Sequence, residues 1–316
     1  MLKYLILLIL TYVIYLQILG NNYYLITIFL IKVCPIMCLL LLLSGNLFFL
    51  IYLLFYSVYR LIIYDYNKGK IPTHMNTHYI QQVNKNSTQF INYHLLNYPK
   101  INSQRNYIYL YSPHALYAHG FLHLFGSFNG ILEQPIIGLV HKFFLLTPFL
   151  GDLFENCGFM ECNYKNLNYL LTLKKNIGFI PGGLDEAIFT QKNTETIFIN
   201  KRRGIFELSI KNRTPIIPIM ATGESDFYSY PLWTHKIPNN LIRLFLYTFS
   251  WGNLYFPWKC QKNNIHIMFG EPIYPSCKYS HNKNIEILKN SYIESLRDLH
   301  QQINKRTNQK RKLIIL

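Results

Sequence analysis

The stretch Tyr109-Leu110-Tyr111-Ser112-Pro113-His114-Ala115-Leu116 joins an apolar strand pattern, a proline and a helix-like continuation. A proline holds the residue before it in an extended conformation, so Pro113 marks the end of the strand. His114 is therefore expected at the carboxyl end of a strand, near the start of a helix. Ligands bind preferentially at that edge of open α/β sheets. The stretch predicts an α/β domain with a histidine at its ligand-binding edge.

The position of His114 is compatible with a general base. A helix amino terminus disfavours the imidazolium form, and a neutral imidazole is the form that a general base needs. A loop histidine without a chemical role fits the same residues equally well. On these residues alone, both interpretations stay open.

From residue 107 onward, short apolar runs alternate with longer runs of helical period, as in α/β folds. The predicted strands are residues 107–111, 136–140, 177–181, 216–220 and 265–269. The predicted helices are residues 115–125, 166–174, 204–212 and 284–302. The region between residues 65 and 106 is polar and is interpreted as a linker and domain entry. Residues 107–303 form the predicted catalytic domain, and residues 304–316 form a basic tail that is expected to be loose.

The amino-terminal region, residues 1–64, is strongly apolar. Long apolar runs cover residues 4–19, 23–31 and 36–59. A membrane-spanning helix needs about 20 mostly apolar residues, so two to three such helices fit here. Cations flank the region on both sides, which predicts a hairpin with both ends in the cytosol. A hairpin that enters the bilayer without crossing it is the open alternative, and a signal peptide is disfavoured because no small-residue cleavage site follows.

The net charge of +16 favours anionic partners such as nucleic acid, anionic lipid or a phosphorylated cofactor. The basic residues are dispersed and accompany a long hydrophobic segment, which argues against nucleic acid.

The six cysteines lack zinc or CxxC spacing and are interpreted as reduced thiols. His119 and His123 have helical i, i+4 spacing but lack a third ligand, so no metal site is predicted.

A second turn with chemical potential is Pro181-Gly182-Gly183-Leu184-Asp185-Glu186, which follows a predicted strand. Glycines let the backbone approach a ligand closely. A carboxylate beside a histidine can orient the ring and stabilise its protonated form. Acids at a helix start for dipole reasons alone are the better interpretation from spacing alone.

A third segment, Asn200-Lys201-Arg202-Arg203-Gly204, places cations at the start of a predicted helix. Cations are disfavoured there unless an anion joins them, and a phosphate-bearing ligand would relieve that cost. A solvated basic turn is the more common alternative. Two more strand-end turns follow, at Gly223-Glu224 and at Gly270-Glu271-Pro272-Ile273, and each alone is ordinary punctuation.

Taken together and in this order, these segments resemble the type-2 diacylglycerol acyltransferase family, which includes monoacylglycerol and wax-ester acyltransferases. The family's His-Pro-His-Gly box reads Ser112-Pro113-His114-Ala115 here, so only the second histidine is present. Its Gly-Gly-x-x-Glu turn matches Gly182 to Glu186, and its Arg-Lys-Gly-Phe segment matches Arg202 to Ile205. The two later turns match the family's Gly-Glu-x-x-x-Tyr and Gly-Glu-Pro-Ile segments.

The resemblance implies a mixed-sheet domain of the glycerolipid-acyltransferase type, preceded by the transmembrane hairpin. It implies a membrane-bound O-acyltransferase that moves a fatty acyl group from acyl-CoA to diacylglycerol or monoacylglycerol. His114 would be the general base and Glu186 its carboxylate partner. Backbone N–H groups of Gly182 and Gly183 would bind the oxyanion, and Arg202 and Arg203 would hold phosphates of CoA. Acyl-CoA would be a co-substrate, with no permanent cofactor and no metal.

The resemblance also implies a location in the endoplasmic reticulum or membranes derived from it, with the catalytic domain facing the cytosol. The expected partners are acyl-CoA, a neutral lipid acceptor and the membrane, and a homo-oligomer is compatible with the pattern. A lysophospholipid or glycerol-phosphate acyltransferase is an alternative, but it expects an acid five residues after His114, where His119 stands. A non-catalytic, membrane-anchored lipid-binding relative is the other alternative, because the box is altered.

Overall fold

The computed structural model describes most of the predicted catalytic domain. The described residues are 55–56, 58–59, 61–63, 91–98, 101–102, 104–115, 118–128, 135–146, 151, 154–155, 157–226 and 263–316. The predicted hairpin over residues 1–64 lies almost wholly outside them. None of the helices within the described ranges combines the length and the apolar character that a bilayer crossing needs.

The chain alternates strands and helices. The strands are β1 Ile91–Leu95, β2 Ile108–Ser112, β3 Ile136–Val140, β4 Met160–Glu161, β5 Asn176–Phe179, β6 Thr194–Ile197, β7 Ile216–Thr222, β8 Asn263–Phe269 and β9 Lys312–Ile315. The helices are α1 His119–Phe128, α2 Lys142–Leu146, α3 Tyr164–Thr172, α4 Leu184–Ile188, α5 Gly204–Asn212 and α6 His281–Thr307. A single 3₁₀ turn, Glu224–Asp226, follows β7.

Seven strands form one sheet in the order β1-β8-β7-β2-β5-β3-β4. Neighbouring strands run parallel except for β7 and β8, which pair antiparallel. The prediction of a mixed sheet in an α/β domain is therefore confirmed. Each strand and each helix predicted from the sequence is present; strand 136–140 and helix 204–212 have the predicted bounds, and the others are shifted by a few residues.

Strand β2 lies at the centre of the sheet and is buried on both faces. Ile108 and Leu110 point to the layer that contains α3, α5 and α6, whereas Tyr109 and Tyr111 point to the layer that contains α1. This division follows from the two-residue period of a strand. Full burial of one such large side chain contributes roughly 1.5–3 kcal/mol. The carboxyl end of β2, where His114 follows, is thereby fixed between two packed layers.

Two expectations about the chain outside the predicted core need correction. The region interpreted as a linker contains β1, which pairs with β8 and buries Ile91 completely. The carboxyl-terminal segment is not a loose tail: residues 304–307 continue α6, and β9 pairs in parallel with β6. The basic composition concealed the alternation within β9, where Leu313 and Ile315 pack against the core while Lys312 and Ile314 are exposed.

Candidate active site

His114 follows β2 at the carboxyl edge of the sheet, as predicted, but the next helix begins later than predicted. Helix α1 starts at His119 instead of residue 115. The reason is the backbone at Ala115 and Ala118, which have φ angles of 48° each, in the left-handed region. The Ala118 N–H donates to the carbonyl oxygen of His114 at 3.0 Å and closes a turn between strand and helix. His114 is thus presented from a tight turn instead of the first turn of a helix.

The imidazole of His114 is partly buried, and its Nδ1 lies 2.9 Å from the carbonyl oxygen of Ala115. Burial lowers the pKa of His114, and backbone contacts, first among them that with Ala115, only partly oppose this. The ring is therefore neutral near pH 7. A carbonyl oxygen can only accept, so Nδ1 carries the proton and donates it, and Nε2 keeps its lone pair. This is the tautomer that a general base requires.

Glu186 lies beside His114 but binds the main chain of this residue. Its Oε2 accepts the His114 backbone N–H at 2.6 Å, and its Oε1 accepts the Phe198 N–H at 2.9 Å. Burial raises the pKa of Glu186 to about 8 against the effect of these two donors. Sequence reasoning expected the carboxylate to orient the ring. In the structure the Ala115 oxygen contacts the ring nitrogen, and Glu186 fixes the turn that carries the ring.

The two glycines of the Gly182-Gly183 turn have separate structural reasons. A side chain at Gly182 would overlap the carboxyl group of Glu186, so only glycine leaves room for that group. Gly183 precedes α4 and has a φ of 59°, a conformation that glycine adopts without strain. The turn is therefore shaped around the buried carboxyl. The role of its N–H groups as oxyanion donors stays a prediction.

Arg202 and Arg203 are adjacent in sequence and separate in space. Arg202 Nη2 donates to the Gly182 carbonyl at 2.9 Å and to Asp185 Oδ2 at 2.7 Å, which places its guanidinium on the Gly182-Gly183 turn. Arg203 pairs with Glu207 at 2.5 Å and with Asn282, at the start of α6, at 2.6 Å. The structure therefore brings Arg202 to the His114 site and directs Arg203 to the α5 and α6 side.

Glu224 is a site residue that sequence reasoning treated as ordinary punctuation. It is buried after β7, and its Oε1 accepts the N–H of Gly120 at 3.0 Å and the hydroxyl of Tyr111. Burial raises the pKa of Glu224 to about 8. The carboxyl thus satisfies N–H groups at the amino end of α1. The signal in the sequence was an acid directly after a buried strand and a glycine, Gly223, which has a φ of 100°.

Ser112 occupies the place of the first histidine of the family's box. It is fully buried, and its hydroxyl lies 3.1 Å from the hydroxyl of Tyr292 on α6. Tyr292 is itself fully buried and lies within the helix predicted for residues 284–302. The pair joins the end of β2 to the long helix directly before His114.

The two other histidines considered for metal binding lie on α1. His123 stacks on Tyr93 with ring centroids 3.6 Å apart, and burial lowers its pKa to about 4. Within the described residues, no cluster of three or more histidine, cysteine or acidic side chains is arranged to hold a metal ion. The stacking on Tyr93 gives His123 a packing role.

Comparisons with known proteins agree with these observations. The family model described as diacylglycerol acyltransferase matches residues 40–316. Acyl-CoA wax alcohol acyltransferase 2 of Homo sapiens is 30% identical over 44% of this chain and 44% of its own length. Diacylglycerol O-acyltransferase 2A of Umbelopsis ramanniana is 22% identical over 66% of this chain and 64% of its own length.

The matches with individual relatives are partial. The chain spans less than half the length of the wax alcohol acyltransferases of mouse and human that it matches, 43% and 44% respectively. Among solved structures, the 1-acyl-sn-glycerophosphate (LPA) acyltransferase PlsC from Thermotoga maritima is similar at 12% identity, with a TM-score of 0.40. The similarity covers 84% of this chain and 98% of that chain.

Proposed function

Because the chain belongs to the diacylglycerol acyltransferase family, we propose that it transfers a fatty acyl group from acyl-CoA to the hydroxyl of a neutral glycerolipid. The observation that carries the proposal is the contact of His114 Nδ1 with the Ala115 carbonyl oxygen, at 2.9 Å. A carbonyl oxygen only accepts and burial lowers the pKa of His114, so this contact favours a neutral ring whose Nε2 has the lone pair of a base. Diacylglycerol and monoacylglycerol are the proposed acceptors, giving triacylglycerol and diacylglycerol.

The reaction needs one proton acceptor and no covalent acyl-enzyme. His114 Nε2 takes the proton of the acceptor hydroxyl while the hydroxyl oxygen attacks the thioester carbonyl of acyl-CoA. The tetrahedral intermediate collapses, the carbon–sulfur bond breaks, and the imidazolium returns its proton to the departing CoA thiolate. Glu186 holds the turn during both transfers, because its carboxyl binds the backbone N–H of His114.

Two negative charges need partners in this reaction, the oxyanion of the tetrahedral intermediate and the phosphates of CoA. Backbone N–H groups of the Gly182-Gly183 turn are proposed as donors to the oxyanion. Arg202 lies on that turn with its side chain 38% exposed, so it is the proposed contact for a phosphate of CoA. Arg203 is paired with Glu207 and Asn282, and this makes it the weaker of the two predicted phosphate ligands.

We further propose that residues 1–64 anchor the chain in the endoplasmic reticulum or a membrane derived from it, with the His114 site facing the cytosol. The apolar runs between residues 4 and 59 support this placement, because a hydrophobic anchor brings the site to the layer where its acceptor dissolves. Retention of the chain in membranes washed with alkaline carbonate is the expected result. Release of the folded chain into the supernatant would contradict the anchor.

The test of the reaction is acyl transfer from labelled oleoyl-CoA by membranes that contain the chain. Diacylglycerol, monoacylglycerol, a fatty alcohol and lysophosphatidate are offered in turn, and the lipids are separated by thin-layer chromatography. Label is expected in triacylglycerol or diacylglycerol. His114→Ala is expected to reduce it by about 10²- to 10⁴-fold, the usual contribution of a general base.

His281→Ala is the matched control, since His281 is exposed at the start of α6 and should leave the rate unchanged. Label in phosphatidate alone would move the chain to the phospholipid-precursor branch, and label in a wax ester alone would make a fatty alcohol the acceptor. No label in any lane, with folded and membrane-bound protein, would leave a lipid-binding relative without catalysis.

A further inference from the structure

Arg311 is a buried cation far along the chain from His114. The residue is only 7% exposed. Its three guanidinium nitrogens each meet an oxygen: Nε lies 2.5 Å from Glu195 Oε1, Nη2 lies 2.6 Å from Ser225 Oγ, and Nη1 binds Asp226 Oδ2. A buried charge is costly unless it is paired and hydrogen-bonded, and here the whole fork is engaged. The planar guanidinium thus joins strand β6, which carries Glu195, to the turn that follows β7.

The turn after β7 also carries Glu224. Ser225 and Asp226 directly follow Glu224 in the 3₁₀ turn, and Arg311 binds both. On the other side of the turn, Glu195 Oε1 accepts the backbone N–H of Gly223 at 3.1 Å. Arg311 also binds that oxygen of Glu195. The residues on both sides of Glu224 are therefore held, Gly223 through Glu195 and Ser225 directly by Arg311.

Glu224 transmits this position toward His114. Its Oε1 accepts the N–H of Gly120 at the start of α1. The residue before that helix, Ala118, donates its N–H to the His114 carbonyl oxygen at 3.0 Å. A shift of the Glu224 turn would therefore move the start of α1 and the turn that presents the imidazole.

The strand that follows Arg311 supports the other carboxyl of the site. Strand β9 pairs with β6 through four residues, and the Leu316 N–H donates to the Ile197 oxygen at 2.8 Å. The backbone oxygen of Leu316 accepts the N–H groups of Ile199 and Asn200, each at 2.9 Å. Between these anchored residues lies Phe198, whose N–H binds Glu186.

We propose that Arg311 is a positioning residue for the acyl transfer, and that with β9 it holds the Glu224 and Glu186 carboxyls in the places from which they fix the His114 turn. This inference rests on the proposed function. It differs from a plain stabilising role, because the guanidinium acts on the geometry of the base through the Glu224 turn.

The test compares Arg311→Ala and Arg311→Lys with wild type in the oleoyl-CoA assay. Both variants are expected to lower kcat by about 100-fold, because a displacement of about 1 Å at a reacting centre has an effect of that size. KM for acyl-CoA should change less than about threefold, because no group that binds CoA is touched. Methylguanidinium at millimolar concentration should raise the activity of Arg311→Ala at least about tenfold, because it restores the planar fork in the cavity left by truncation. It should leave Arg311→Lys unchanged, because the lysine side chain fills that cavity.

Arg306→Ala is the matched control, because Arg306 is exposed near the end of α6 and its Nη1 contacts the Leu96 oxygen, at 3.2 Å, away from the Glu224 turn. Its kcat should equal that of wild type. Wild-type kcat in Arg311→Lys, or a loss in Arg311→Ala that follows the amount of folded protein and does not respond to methylguanidinium, would overturn the inference. Absence of acyl transfer in wild type would instead contradict the proposed function, so the two failures are distinguishable.

Discussion

Two turns of this molecule look alike in sequence and differ in what their acids do. Each follows a buried strand, contains glycine and carries a glutamate, Glu186 after β5 and Glu224 after β7. Both carboxyls are buried, and burial raises the pKa of each to about 8. Glu186 uses both oxygens, one for the His114 N–H and one for the Phe198 N–H. Glu224 receives Tyr111 and Gly120 on a single oxygen.

The difference shows that a shared motif does not fix a shared role. The neighbours of each carboxyl come from strands and helices that are distant in sequence, and they decide which oxygen is occupied. Glu186 is tied directly to the residue that carries the base. Glu224 is tied to the helix that follows the base.

The strongest test of this difference is to replace each glutamate by glutamine and compare the two variants. In Glu186→Gln only one of the two terminal atoms can accept, so one backbone N–H faces an NH₂ group and loses its bond. We expect a loss of unfolding free energy of about 1–3 kcal/mol together with a fall in kcat. In Glu224→Gln the amide oxygen can accept both donors, and the loss should be about 1 kcal/mol or less.

Thermal unfolding and kcat, measured on both variants side by side, check this order. Equal losses at the two positions would mean that the Glu186 and Glu224 carboxyls contribute equally to stability and kcat. A larger loss at Glu224 would contradict the view that Glu186, which binds the His114 main chain directly, matters more.

The two buried carboxyls, Glu186 and Glu224, also predict how the free energy of unfolding depends on pH. In the folded chain both carboxyls have a pKa of about 8, above their ordinary value of 4.5, so between these values the folded state binds more protons than the unfolded state. Their contribution to stability is therefore complete below pH 4.5 and is lost progressively as pH rises through 8. Unfolding free energies measured from pH 7 to 9, above the ordinary histidine pKa of 6.5 where the buried histidines have stopped titrating, should fall, and each amide variant should remove part of the slope. A pH-independent difference between variant and wild type would contradict the raised values.

The activity should respond to pH in the opposite sense at the acid side. Burial lowers the pKa of His114 below its ordinary 6.5, so the neutral base persists to lower pH than a free imidazole would. The acid limb of kcat/KM is expected to have its midpoint below 6.5. A midpoint above 6.5 would mean that a carboxylate stabilises the imidazolium, as the resemblance implied for Glu186.

The smallest effect concerns the residue that follows His114. Ala115 has a φ of 48°, a left-handed conformation that costs a non-glycine residue roughly 1–2 kcal/mol. Ala115→Gly should raise the unfolding free energy by about 0.5–1 kcal/mol, since greater freedom of the unfolded glycine offsets part of the gain. Ala187→Gly, in helix α4, is the control and should destabilise by about 1 kcal/mol. Thermal unfolding of both variants is the measurement, and destabilisation by Ala115→Gly would show that the lost methyl contacts outweigh the strain.

Much of the fold was predictable from the sequence because its signals are local. Pro113 stops β2, the apolar period of residues 284–302 belongs to α6, and Gly204–Asn212 is the helix that the pattern predicted. Strand β1 was missed because the polar region 65–106 around it carries no clean period. Strand β9 was missed because the basic residues that precede it suggested a solvated tail.

The candidate site divides in the same way. Local pattern placed His114, Glu186, Arg202 and Arg203 at strand ends or helix starts, and only the resemblance to the family implied a role for each of them. Only the tertiary structure decided that Glu186 binds the main chain of His114, that Arg203 turns away from Arg202, and that Arg311 holds the Glu224 turn. The physical reason is that a hydrogen bond is fixed by distance and direction between groups from separate elements. Those relations exist only once the sheet has brought the elements to one edge.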